Sequence, residues 1–399
     1  MLDFMDYVQN AFAISTGWNP DNSYAALTIT ANNLLDFYLP RGLGLRVAAL
    51  SSPNFATSYT LGSAGVVDGS LSFLYSSLGL RVVGKSSDVN LRQLVRGYRH
   101  LQQLKAPPES IEPLSDMEGS EGRVWKKDTL LYGRLHLPAS TLEALYLRRL
   151  TPTRLLRINC VSDATLPNSG TVLALLQNDY GKYSTEYLYS TDSSLLGFRA
   201  LYNFGYDPRY PVEQQNISYR TPRHPWDHQN GRLSAGAEVY FSPVNKSGGM
   251  STGLRFTTLP IHSGFPYTMT LTLNPLMGNL SSSYAIKAGP NLALCSRFDF
   301  NVYSYESDVV LGLELWRQRS TPTDVLWAKA LIRPDWPPVR PNEGDTTAVL
   351  KARMSDKGKV GALWECRVKD LLVSVGASLD LKKRERVLGS IGLEVSYST

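Results

Sequence analysis

From Leu43 almost to the end of the chain, apolar and polar residues change places with a period of two, the pattern of strands with one greasy and one polar face. Tyr267, Met269, Leu271 and Leu273 are separated by Thr268, Thr270 and Thr272. Leu233, Ala235, Ala237, Val239 and Phe241 alternate with Ser234, Gly236, Glu238, Tyr240 and Ser242. Val309, Leu311, Leu313 and Leu315 alternate with Val310, Gly312, Glu314 and Trp316. Val387, Gly389, Ile391, Leu393, Val395 and Tyr397 do the same with Leu388, Ser390, Gly392, Glu394 and Ser396.

Only the beginning departs from this period. In Met1 to Ile14 the apolar residues Leu2, Phe4, Met5, Tyr7, Val8, Ala11 and Phe12 recur at near-helical spacing, and Gly17 and Pro20 stop the run. The pattern predicts a short amphipathic helix that lies on a membrane surface, inside a barrel or at its mouth.

The alternating segments number about nineteen, each close to the length of a strand tilted across a bilayer. They fall near 43–50, 55–63, 67–77, 129–137, 143–150, 153–163, 171–180, 182–193, 196–205, 231–243, 249–259, 267–278, 279–290, 292–303, 307–318, 348–358, 359–370, 371–381 and 386–398. Three connections are long, about 78–128, 206–230 and 319–347, and each follows an odd-numbered strand. All three therefore leave from one rim, as expected of a membrane barrel with short turns on the other side. The chain divides into a lead-in segment, 1–42, and a single barrel, 43–399.

A soluble sandwich also alternates, so the polar face decides. One face carries Arg46, Arg134, Glu238, Lys287, Arg297, Asp299 and Glu314, charges that suit a wet lumen, whereas the other carries almost none. Aromatic residues such as Phe73, Tyr75, Tyr187, Tyr189, Tyr267 and Tyr397 sit toward segment ends, and 22 tyrosines are enough for interfacial girdles. The fold class is thus all-β, a transmembrane barrel of about nineteen strands. An open edge in hydrocarbon would leave backbone groups unpaired, so the sheet must close. An odd count makes the first and last strands parallel, a closure found in mitochondrial barrels and not in bacterial ones.

Composition adds little. A net charge of +6 and a pI near 9.0 are mild evidence for contact with anionic lipid or acidic partners. Cys160, Cys295 and Cys366 are odd in number and widely spaced, without CxxC, so neither a disulfide framework nor a zinc site is expected. No apolar run reaches the ~18 residues of a membrane-crossing helix. The N-terminus lacks the features of a signal peptide, and Asp3 and Asp6 argue against a transit peptide.

Gly79 to Ser86 matches GxxxxGK[ST] formally, but its bulky interior, Leu80-Arg81-Val82-Val83, does not suit a phosphate cradle. Asn90 to Leu104 reads as a basic helix on the rim, with Leu91, Leu94, Val95, Tyr98, Leu101 and Leu104 on one side and Arg92, Arg96, Arg99 and His100 elsewhere. His224 and His228 flank Pro225, which opposes the helix that a metal site of that spacing needs. With no nucleophile elbow and no framed carboxylate pair, nothing supports catalysis, a metal or any other cofactor. Partner contact is expected at large lipid-facing aromatics, Phe73 and Tyr75 first, with Tyr240 and Phe241 behind them.

The stretches MLDFMDYV from Met1, NSYAALTITANNLLDFYLPRGL from Asn22, KSGGMSTGLRF from Lys246, NPLMGNLSSSYA from Asn274 and SRFDFNVYSYESD from Ser296 resemble the mitochondrial distribution and morphology protein 10 family, fungal outer-membrane barrels. The resemblance spans nearly the whole chain. It implies a scaffold in the mitochondrial outer membrane with two jobs. One is in the complex that tethers the endoplasmic reticulum to mitochondria, where lipid-transfer proteins dock and which serves lipid exchange, morphology and inheritance. The other is with the sorting and assembly machinery, assisting assembly of barrels and of the import translocase. The implied partners are subunits of these assemblies and membrane lipids, with no nucleic acid. The last strand resembles the mitochondrial insertion signal at Ser390, Gly392, Val395 and Tyr397. The competing expectation is a metabolite pore like the voltage-dependent anion channel.

Overall fold

The computed structural model describes residues 1–64, 67–80, 83–101, 104, 127–166, 169–205, 231–259, 264–318, 346–382 and 388–399. Nineteen strands form one closed sheet. In chain order they are β1 (Gly42–Ser52), β2 (Phe55–Ser63), β3 (Val67–Ser76), β4 (Thr129–Leu137), β5 (Thr141–Thr151), β6 (Arg154–Ser162), β7 (Gly170–Asp179), β8 (Tyr183–Ser190), β9 (Leu195–Asn203) and β10 (Gly231–Ser242). Then come β11 (Ser247–Thr258), β12 (Tyr267–Asn274), β13 (Asn279–Ile286), β14 (Leu292–Asn301), β15 (Ser307–Gln318), β16 (Thr346–Ser355), β17 (Lys359–Val368), β18 (Leu371–Asp380) and β19 (Leu388–Ser398). Each expected segment coincides with one strand. The largest differences, four residues, are at the ends of β12 and β13, where 275–278 and 287–291 form turns.

Successive strands are antiparallel, and the sheet closes by parallel pairing of β1 with β19, from Gly42 opposite Gly392 to Ala48 opposite Ser398. The closure satisfies both edges, whose unpaired N–H and C=O groups would each cost several kcal/mol in hydrocarbon. The long connections follow β3, β9 and β15, so all three leave from the rim where odd strands end. Most of the 206–230 and 319–347 loops, and with them His224 and His228, lie outside the described residues.

Outward positions are apolar: Leu311, Met269 and Leu254 are 55%, 47% and 45% exposed. No described helix is long and apolar enough to cross a membrane.

The lumen is filled. Helix α1 (Phe4–Ser15) ends before Gly17, whose φ of 68° suits a residue without Cβ. It buries Met5, Val8 and Phe12 against Ala56, Leu74 and Leu130 on the inner wall of β2, β3 and β4. Each such side chain contributes roughly 1.5–3 kcal/mol. The chain then circles the wall. Trp18 lies under the Arg149 guanidinium of β5, 4.7 Å from the ring centroid, and Asn22 donates to Asp179 of β7 at 2.6 Å and accepts from Asn203 of β9 at 2.8 Å. A 3-10 turn, Tyr24–Ala26, lies against β9 and β10, and the Tyr24 hydroxyl bonds Ser251 of β11. Helix α2 (Ile29–Leu35) then packs Leu34 and Leu35 on Ala285, Ala293, Cys295 and Val310.

Inward glycines mark this path. A Cβ on Gly236 would lie 2.6 Å from Tyr24, on Gly253 2.9 Å from Leu27, on Gly312 2.5 Å from Leu35 and on Gly376 2.6 Å from Pro40. At Gly392 it would collide with the Pro40 carbonyl. The lead-in segment therefore makes a full circuit of the lumen before it becomes β1.

Candidate functional site

A second segment enters the lumen after β3. Residues 83–101 run inward from the rim where odd strands end. The Ser86 N–H donates to the Ser398 carbonyl at 3.1 Å, and the Ser86 hydroxyl donates to the Asp370 carbonyl. That hydroxyl is committed to the wall, and no helix starts on Lys85-Ser86, so the described part of the GxxxxGK[ST] match has no phosphate-cradle form; Arg81 and Val82 lie outside the described residues.

The helix expected over Asn90 to Leu104 is one turn, α3 (Leu91–Leu94), capped by Asn90, whose Oδ1 accepts from the Arg92 N–H at 3.0 Å. Beyond it the chain is not helical, because its backbone groups bond elsewhere. Leu94 O accepts from the Leu2 N–H at 2.7 Å, Arg96 O from Lys351 Nζ, and Gly97 O from Asn33 Nδ2 at 3.2 Å. These partners replace the i to i−4 bonds that would continue a helix. The basic side chains face inner-wall and lead-in residues rather than headgroups. Arg92 stacks over Trp316 at 5.5 Å, Arg96 pairs with Asp6 at 3.0 Å, and Arg99 pairs with Asp21 at 2.9 Å. Residues 102 and 103 lie outside the described set.

One buried pair fastens both segments. Lys351 Nζ and Glu314 Oε2 are 3.6 Å apart, with side chains each 2% exposed. Lys351 donates to the carbonyls of Asn33 and Arg96, while Glu314 accepts from Trp316 Nε1 at 2.6 Å and sits against Gly97, where a Cβ would be 2.7 Å from a carboxylate oxygen. The Met1 amino group pairs with Glu365 nearby on β17. Burial, then the neighbouring Asp3, pushes the Asp6 carboxyl up, against the pull of Arg96. Burial and then Lys287 lower His100.

Most of the lumen charges expected from the polar face meet a partner in the chain. Arg46 meets Glu394 at 2.6 Å, Arg297 meets Asp36 at 2.6 Å and Asp299 at 3.1 Å, Arg134 bonds Ser70 at 3.0 Å, and Glu238 meets Arg199 at 3.2 Å. Lys287 lies just past β13, in the turn to β14.

Phe73 and Tyr75 point outward at 42% and 47% exposure, and Phe73 stacks on Phe55 with centroids 6.1 Å apart. Phe241 also points outward. Tyr240 does not: it faces the lumen, where its hydroxyl donates to Glu238 at 2.8 Å and accepts from Arg199 Nε at 2.6 Å. Consecutive strand residues take opposite faces, so a pair such as Tyr240 and Phe241 cannot both meet lipid. Phe241 instead lines, with Leu176, Tyr187, Tyr189, Leu196 and Phe198, an outer concavity of about 520 Å³ floored by Ala174. Sequence reasoning missed it; the signal was the register that sets small Ala174 beside Tyr189.

Of the residues resembling an insertion signal, Val395 and Tyr397 face outward opposite Leu45 and Val47 of β1. Ser390 and Gly392 face inward, Ser390 hydrogen-bonded to Ser378 at 2.8 Å. Cys160, Cys295 and Cys366 are free thiols, and no cluster that could hold a metal occurs among the described residues.

A closed nineteen-strand barrel with apolar outer faces, parallel closure and a lumen packed by its own chain defines a membrane-embedded structural barrel of the mitochondrial type. Comparison with known sequences gives its family. The model of the family described as mitochondrial distribution and morphology protein 10 matches residues 1–332 and 339–399, and the chain belongs to that family. Proteins of that name from Phaeosphaeria nodorum and Sclerotinia sclerotiorum are 61% and 55% identical to it, each over all of both chains. One from Emericella nidulans is 47% identical over 95% of this chain and 90% of its own length. The family's name places this protein in mitochondrial distribution and morphology, as a structural component and not an enzyme.

Proposed function

We propose that this barrel is a scaffold of the mitochondrial outer membrane. It anchors the complex that tethers the endoplasmic reticulum to mitochondria, and it joins the sorting and assembly machinery to assist assembly of barrels and of the import translocase. The observation that carries this reading is the packed lumen, in which the lead-in segment and residues 83–101 are fastened to the wall and to each other. A protein that fills its own pore is left with its outer faces and rims for work. Large outward aromatics at Phe73, Tyr75 and Phe241 can exchange lipid for a protein surface without exposing apolar area to water.

A metabolite pore would share the strand number and a luminal helix, but conduction needs a path whose lining binds ions weakly enough to release them. Here the described luminal cations meet carboxylates or backbone carbonyls of the same chain at Arg46, Arg297 and Lys351.

Photo-crosslinking amino acids placed at 73, 75 and 241 test the outer faces. The expected result is protein adducts to subunits of the tether from some positions and of the sorting machinery from others. Adducts to lipid alone from all three positions would overturn these faces as docking surfaces.

A further inference from the structure

We propose that the turns joining β12 to β13 and β14 to β15 are immersed in the interfacial layer of the bilayer, where they anchor this side of the rim on which even strands end. The two hairpins are neighbours, with Asn279 opposite Asn301. Their turn side chains are more exposed than those on the strands below. Leu276 and Met277 are 59% and 63% exposed and Tyr303 and Tyr305 67% and 80%, against 39% for Leu273 and 44% for Phe298. The outward apolar face thus runs past the last ladder pairs, Asn274 with Asn279 and Phe300 with Ser307, into the turns. Glu306 is the only charged residue in 275–278 and 302–306. Apolar area left in water forfeits the gain of burial, and this area is continuous with a wall that faces lipid.

The backbone of both turns already has partners, which a polar group needs before it leaves water. Asn301 alone makes four bonds. Its Oδ1 accepts from the N–H groups of Tyr303 and Ser304, each at 2.9 Å, and its Nδ2 donates to the Met277 carbonyl at 3.2 Å and to Asn279 Oδ1 at 2.6 Å. The Val302 N–H donates to the Gly278 carbonyl at 2.8 Å, and the Met277 N–H to Asn274 Oδ1 at 3.0 Å. A Cβ on Gly278 would lie 2.7 Å from the Tyr303 ring. With no Cβ there, the ring lies across the first turn and its hydroxyl donates to the Pro275 carbonyl at 2.8 Å. The result is one hydrogen-bonded platform topped by tyrosines and aliphatic side chains, the composition that favours the level of the headgroups. The next hairpin along the rim differs. Its turn between β16 and β17 carries Asp356 and Lys357, the latter paired with Asp308 at 3.6 Å, and these charges keep it in water. A rim immersed on one side and hydrated on the next tilts the barrel or draws the headgroups toward the platform.

The test places a fluorescent amino acid at 271, 277, 305 or 357 of the full-length protein in phosphatidylcholine nanodiscs. Lipid carrying a nitroxide near the headgroup is expected to quench the probes at 277 and 305, and lipid carrying it deep in the acyl chain the probe at 271. Aqueous iodide should quench the probe at 357 severalfold more than those at 277 and 305. A second measurement leaves the turns unaltered: phosphatidylcholine with a photoreactive group near its headgroup should label wild-type peptides spanning 274–279 and 301–307, and not 355–359. Iodide quenching at 277 and 305 equal to that at 357 overturns the proposal, and so does the absence of lipid label from both turns. Discrete protein adducts from a photo-crosslinking amino acid at 305 in mitochondrial membranes also overturn it, because a partner chain would then cover the platform.

Discussion

Lys351 and Glu314 are both almost fully buried, and each also holds a backbone or side-chain group of the luminal segments. Removing one partner leaves the other charged and unpaired, at about 3–5 kcal/mol. Lys351→Met should therefore lower the temperature at which the barrel loses its compact gel mobility, and Lys351→Met with Glu314→Leu should recover much of that loss. A double variant as weak as the single would deny the pair its role. Gly392→Ala makes a sharper steric case, because the new methyl meets the Pro40 carbonyl and the Arg41 nitrogen. It should reduce the amount of folded barrel in membrane extracts, whereas Gly289→Ala, with nothing within 4 Å, should not. At this scale the outward residues were legible in the sequence, since a period of two assigns Phe73, Tyr75 and Phe241 to one face. The same rule puts Tyr240 on the other face, beside Glu238, and pairing it with Phe241 on aromatic character alone set the period aside.

Among elements, α1 could be read from its spacing because its apolar stripe is complete within 12 residues. The course of 90–104 could not, because its helical pattern reflects burial on several sides, and tertiary hydrogen bonds from Leu2, Asn33 and Lys351 take the carbonyls that a helix would use. The circuit of the lead-in segment left a trace that was open to reading. Ala285, Ala293, Cys295, Val310 and Gly312 interrupt the polar inner face, and small apolar residues facing a lumen mark where something packs. If residues 83–101 are a plug, replacing them with a Gly/Ser linker of equal length should give the reconstituted barrel a conductance well above that of the wild type. Equal conductance in planar bilayers would mean that the segment does not obstruct the pore.

For the molecule as a whole, strand number, closure and the common rim of the long connections followed from the sequence, because each of the nineteen segments must cross the same hydrocarbon thickness. The packed interior did not follow, since alternation reports which face a residue takes and not what fills the space behind it. That interior separates a scaffold from a channel sharing its wall. The most direct measurement is affinity purification of the tagged protein from a mild-detergent extract of mitochondria, with the co-purifying chains identified by mass spectrometry. The account predicts recovery of tether subunits and of sorting-machinery subunits. A barrel recovered alone, and conducting ions after reconstitution with residues 83–101 intact, would contradict it.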